Sequence, residues 1–232
     1  MYYVPSLVFP LLFFTAFTGA LSSLINLPGF NFEAGYAGFQ YVFILIQTAS
    51  FGGVFTGLSI ARDFETGFSR RLFLGASSRT GVIAGYSIAA FGRWVFIGGV
   101  VTVVAFAMGM TVPGGLGVLS LYALAFVVNA AFVLFASGVA MRLRTVQAGP
   151  LMQTPVFLLL FLAPVYVPLD VLEGWIQSIA RFNPMTIFLE SGRGFLAGSP
   201  TMIGLAFGLA IALFFLFGIW ARGGLRSAES AG

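Results

Sequence analysis

YVFILIQTASFGGVFTGLSIARDFETGFSRRLFLGASSR, residues 41–79, decides how this chain is to be read. Its first twenty residues carry no charge, and about 20 apolar residues in a helix cross a bilayer core of roughly 30 Å. Directly afterwards Arg62, Asp63, Glu65, Arg70, Arg71 and Arg79 hold six of the eighteen charged residues in the whole chain. The simplest reading is a membrane span followed by a solvated connection whose arginines fix topology. A second reading is available on a helical wheel, where Phe64, Phe68 and Leu72 stand at i, i+4 and i+8, with Asp63 and Arg70 on another face. That spacing predicts a short interfacial helix. Gly67 inside it costs about 1 kcal/mol of helix propensity against alanine, which points to close approach by another molecule.

Composition carries the first reading to the rest of the chain. Of 232 residues 59% are hydrophobic, 28 are phenylalanine and only 8% are charged, whereas a soluble domain is about 45–50% apolar. The mean hydropathy of +1.02 belongs to a membrane protein. With no cysteine, histidine or lysine, the chain lacks a disulfide, the usual zinc, copper and haem ligands, a phosphate-loop lysine and a histidine-dependent triad. No cofactor or metal site and no catalytic residue is expected in it. The net charge of +4 rests on arginine alone, a topology signal in a membrane protein rather than a sign of nucleic acid. Arginine as the only cation, with abundant Ala, Gly and Val, fits a GC-rich bacterial genome.

Six apolar windows appear, at about residues 5–25, 38–60, 86–110, 118–140, 149–167 and 201–221. The first has no positive n-region and no convincing cleavage site, so it is read as a retained span. Arg62, Arg70, Arg71 and Arg79, then Arg142 and Arg144, then Arg222 and Arg226 follow the even-numbered spans, which places those connections and both termini in the cytoplasm. Arg93 lies within the third span. It is read either as a charge facing a translocation path or as one that snorkels from a long helix starting near residue 80. Gly52, Gly53, Gly57, Gly98 and Gly99 are read as helix-packing positions.

Between the last two spans the periodicity changes. Leu172, Trp175, Ile176 and Ile179 repeat at helical spacing with Glu173, Gln177 and Arg181 opposite, and Asn183-Pro184 then stops the helix. A second piece carries Phe188, Leu189 and Phe195, with Glu190 three residues before Arg193. Each piece of about 10–14 residues is too short to span. The pattern suggests a re-entrant or interfacial hairpin on the outer face, the alternative being an ordinary extracellular loop.

The residues Glu65-Thr66-Gly67, Arg70-Arg71-Leu72, Leu74, Ser78 and Arg79 resemble the cytoplasmic loop of type-2 ABC exporter permeases, the family of daunorubicin-type drug exporters and bacterial polysaccharide exporters. Many relatives have a proline before the Ser-Arg pair, where this chain has Ala76 and Ser77. The family's second signature is matched by Pro164, Pro168, Trp175, Ile176, Asn183, Pro184, Glu190 and Arg193. Two long motifs in the right order are more specific than either one, and the resemblance runs from about Pro5 to Trp220. Relatives usually carry an interfacial segment before the first span; here the apolar run starts almost at Met1.

The resemblance implies one permease domain over residues 1–232, all-α, with six transmembrane helices, a cytoplasmic coupling helix between helices 2 and 3 and the outer hairpin between 5 and 6. It implies a multi-pass protein of the bacterial plasma membrane that pairs with a second copy or a related permease. Separate ABC ATPase subunits would bind ATP and magnesium and supply the drive. Arg62, Asp63, Phe64, Glu65, Thr66, Gly67, Phe68, Arg70, Arg71 and Leu72 would form the docking element. Within it Phe64 and Phe68 would dock, Asp63, Glu65 and Arg70 orient, and Arg71 and Arg79 anchor at the interface. Pro168, Trp175, Asn183, Pro184, Glu190 and Arg193 would belong to the hairpin. A path lined by spans one, two and five would offer Gln47, Thr48, Phe51, Phe55 and Gln153, a mostly apolar wall with a few polar points that suits a lipophilic or amphipathic solute. A lipid-linked glycan is the second candidate. An ATP-independent transporter or channel is the rival class; it calls for ionisable groups buried in the spans, and the chain offers only Arg93.

Overall fold

A computed structural model describes residues 3–30, 32–75, 79–113 and 115–229, with backbone alone at Tyr3, Pro5, Arg70, Phe73, Leu74, Arg79, Thr80 and Glu229. Among the described residues the chain is helical without strands. In chain order the helices are α1 (Tyr3–Leu21), α2 (Gly35–Glu65), α3 (Phe68–Gly75), α4 (Arg79–Ala107), α5 (Gly117–Leu143), α6 (Gly149–Phe161), α7 (Gly174–Phe182), α8 (Pro184–Leu196) and α9 (Ile203–Glu229).

Among the described residues five segments are long and apolar enough to cross a membrane: Ser6–Asn26, Gly35–Glu65, Gly81–Ala107, Gly117–Leu143 and Ile203–Ala228. The 31 residues of α2 rise about 46 Å at 1.5 Å each, well beyond a core of roughly 30 Å. The window at 149–167 behaves differently. Its helix α6 stops at Phe161 after 13 residues, about 20 Å, because Pro164 disfavours helical backbone at Ala163. The apolar stretch is long enough to span, but the helix within it is not.

The chain forms two compact units. The first comprises Met1–Thr48, Phe96–Ala125 and Phe157–Leu209; the second comprises Ala49–Val95, Phe126–Val156 and Ala210–Gly232. In the first unit Phe30, Tyr36 and Phe39 form an aromatic core against which Leu21, Leu24, Ile25 and Phe32 pack. A chain of hydroxyls joins α2, α4 and α5, with Tyr41 to Thr102 and Thr102 to Tyr122 both at 2.8 Å. Helix α4 ends in a left-handed glycine, Gly109 at φ +89°. The Met110 and Gly109 N–H groups then satisfy the Ala105 and Phe106 carbonyls, which an L-residue at position 109 would do only under strain.

In the second unit the packing follows the small residues. At Gly53 the backbones of α2 and α5 touch, so that an added Cβ would lie 2.7 Å from the Val133 nitrogen and closer still to the Phe132 carbonyl. One turn on, Gly57 faces Ala136 and Met152. This is the close approach that small residues spaced four apart allow in lipid. Helices α5 and α9 are clasped by Arg142, whose guanidinium carbon lies 3.6 Å from the Trp220 ring centroid. Its two arms donate to the Gly138 and Trp220 carbonyls at 2.8 Å.

Candidate functional site

In the second unit the charged segment is two pieces, not one helix. The N–H of Thr66 donates to the Arg62 carbonyl at 2.9 Å and that of Gly67 to the Phe64 carbonyl at 3.1 Å, closing α2 at Glu65. Gly67 takes φ +72° and α3 starts at Phe68. The expected stripe is therefore broken: Phe64 lies on α2, while Phe68 and Leu72 stand four apart on α3. An added Cβ at Gly67 would meet nothing within 4 Å. Glycine is needed here for its left-handed backbone conformation.

Both acids of the segment have partners within the chain. The Tyr86 hydroxyl on α4 donates to Asp63. Glu65 Oε1 accepts from the Thr145 hydroxyl at 2.7 Å and the Val146 N–H at 2.9 Å. Arg62, Thr66 and Arg71 are exposed, and Phe68 is 47% exposed. Phe64 and Leu72 are half-buried. Ser78 and the side chains of Arg70, Leu74 and Arg79 lie outside the described residues.

Arg93 adopts an arrangement that neither expectation anticipated. From α4 its Nη2 donates to the Gly52 carbonyl at 3.0 Å and to the Thr56 hydroxyl at 2.8 Å, both on α2. Gly52 has no side chain to shield that carbonyl, and the fork of a guanidinium reaches both acceptors at once. On the other flank Asn129 of α5 donates to the Ala49 carbonyl of α2 at 2.8 Å. Helix α2 is thus held by polar bonds from two neighbours.

In the first unit the outer motif folds around a buried charge. Asn183 caps α8, its Oδ1 accepting from the Met185 N–H at 2.9 Å while its Nδ2 donates to the Leu159 carbonyl at 2.6 Å. Pro184 takes the first helical position, where its missing N–H costs nothing. One turn before the end of α8, Arg193 is 3% exposed. It pairs with Glu190 at 2.9 Å, donates to the Pro164 carbonyl at 2.7 Å and stacks over Phe39 at 3.5 Å. Burial pulls its guanidinium down to about 10, with Glu190 opposing, so it stays charged at neutral pH. Gln40 and Tyr36 complete the ring by donating to the Val165 and Tyr166 carbonyls at 3.3 and 3.2 Å. Pro168 leads into a turn at Leu169–Val171, and α7 shows an open apolar side with Trp175 70% and Phe182 90% exposed.

Of the expected path residues, Gln47, Thr48 and Phe51 are buried within the chain, and Phe55 and Gln153 are half-buried. Gln47 Oε1 has no hydrogen-bond partner among the described residues. Sequence reasoning did not single out Tyr86, Asn129, Thr145 or Gln40. Of these, Thr145 alone carried a local signal, a helix-capping residue just ahead of an apolar run.

A sequence profile described as ABC-2 type transporter matches residues 1–197, a stretch that contains both the charged segment and the outer motif. No protein of curated function matches the chain. With the profile covering well over half its length, the chain belongs to the ABC-2 type transporter family.

Proposed function

We propose that this member of the ABC-2 type transporter family is the membrane permease of an ATP-driven exporter of a lipophilic or amphipathic compound, driven by separate ATPase subunits. The family match over residues 1–197 carries the reading. Six crossings are proposed, α6 with the loop after it being the fifth, with both termini and α3 in the cytoplasm of a bacterial cell. Two permease copies, or one copy and a related chain, frame the path, and ATP and magnesium are bound by the ATPase. Phe68 and Arg71, both exposed, support α3 as the docking element. With Asp63 and Glu65 engaged inside the chain, the docking face is apolar and basic, and the complementary groove is apolar with an acidic rim. Closure of the ATPase pair moves α3, and α2 and α4, tied by Arg93 and by Tyr86–Asp63, move as one rigid element.

The apolar character of the chain, 59% hydrophobic and 8% charged, supports the substrate class. The test is purification of the tagged protein from its host, followed by flux into proteoliposomes. The expected result is a co-purifying nucleotide-binding subunit and flux that requires ATP. Isolation without such a subunit, together with flux that is indifferent to ATP, overturns the reading.

A further inference from the structure

Glu65 was expected to face the ATPase, yet both donors it meets belong to the connection between α5 and α6. Thr145 is extended at φ −137° and ψ 142° and caps the 3₁₀ turn Val146–Ala148, its hydroxyl oxygen accepting from the Gln147 N–H at 3.3 Å. That turn runs directly into α6 at Gly149. The Val146 N–H is one of the amides that a helical start leaves without a partner inside the helix. A carboxylate from another helix supplies that partner, on the side where the helix dipole favours negative charge.

The same two elements touch twice more within the second unit. An added Cβ on Gly149 would meet Leu58 at 3.2 Å, and one on Gly57 would meet Met152 at 2.5 Å. Position 65 thus pairs with 145–146, 58 with 149, and 57 with 152, so the end of α2 and the start of α6 run antiparallel as one seam. Glu65 closes that seam at the end where α2 turns into α3. Both donors meet one oxygen, Oε1, so the carboxylate is already engaged inside the chain while Oε2 takes neither donor.

We propose that Glu65 is a positioning residue: its carboxylate latches the end of α2 to Thr145 and Val146, so that displacement of α3 is handed to α6. The transmission role rests on the function proposed above, and the contact itself does not. Three variants in the permease–ATPase complex test it. Thr145→Val, which keeps the shape and removes the hydroxyl donor, and Glu65→Ala are expected to leave ATPase association unchanged while lowering transport per ATP hydrolysed by about fivefold, a modest loss because the site is exposed and screened. Glu65→Gln, which keeps an acceptor oxygen, restores most of the coupling. The double variant Glu65→Ala/Thr145→Val is no worse than Glu65→Ala alone, since partners in one contact are not additive. If Glu65→Ala releases the ATPase while Thr145→Val changes nothing, Glu65 is a docking contact and the latch is wrong.

The chain has no cysteine, so Glu65→Cys together with Thr145→Cys forms a unique pair for a short thiol-to-thiol cross-linker in the permease alone, in membranes. A cross-link is expected, and its absence overturns the latch whatever the ATPase does. If no ATPase accompanies the wild-type chain and its flux is indifferent to ATP, the function reading and the transmission role both fall, and cross-linking then decides the contact by itself.

Discussion

Replacing Gly53 with alanine adds one methyl group where two helix backbones already touch. The new Cβ would lie 2.7 Å from the Val133 nitrogen and nearer still to the Phe132 carbonyl, against about 3.5 Å for comfortable contact between carbon atoms. The obstacle is backbone, which cannot rotate away as a side-chain tip can, so α2 and α5 must separate by about 0.8 Å or more. Overpacking of this kind costs about 3 kcal/mol. For a chain of this size that lowers the unfolding midpoint by roughly 6–12 °C. The control is Gly99→Ala on α4, where an added Cβ meets nothing within 4 Å; better helix propensity makes it neutral or stabilising by about 0.5–1 kcal/mol. Thermal unfolding of the detergent-purified protein, followed by tryptophan fluorescence or size-exclusion loss, reads both. Equal midpoints for Gly53→Ala and wild type would refute the backbone contact between α2 and α5.

Three further outcomes follow from single contacts. Arg193→Met leaves the half-buried Glu190 without its partner and frees two carbonyls, so the outer motif should lose about 2 kcal/mol; faster proteolysis between residues 162 and 183 is the readout, and an unchanged digest counts against the network. Gly67→Ala forces an L-residue into φ +72° and should cost about 1 kcal/mol, with Gly67→Asn milder; identical thermal midpoints for the three chains would argue against a left-handed cap. Arg93→Met removes bonds to the Gly52 carbonyl and Thr56 and should destabilise by about 1–3 kcal/mol. Arg93 ties α4 to a carbonyl and a hydroxyl of α2, so transport in that variant should show no new proton or sodium dependence, which flux assays across a pH or sodium gradient would check.

Local rules carried the fold a long way. Runs of apolar residues without charge announced long helices wherever the window continued unbroken, because every backbone group in a helix is satisfied within its own segment. At residues 149–167 they did not show where the helix stops, since the apolar run continues through Pro164 while α6 ends at Phe161. They also joined Phe64 to Phe68 and Leu72, since a helical wheel assumes an unbroken helix and Gly67 breaks it with a left-handed turn. In the outer motif the i+3 spacing of Glu190 and Arg193 was legible, but the Pro164 carbonyl and the Phe39 ring that complete the surroundings of Arg193 were not.

By itself, then, the sequence determined a helical membrane chain, because composition and hydropathy are sums over residues that need no partner. The tertiary structure alone decided what each charged side chain holds. Glu65 meets Thr145 across 80 positions and Arg93 meets Gly52 across 41, separations at which spacing carries no information. Within an apolar span a polar side chain such as Arg93 takes whatever acceptor the fold brings within reach, since leaving it unmet costs more than any local preference.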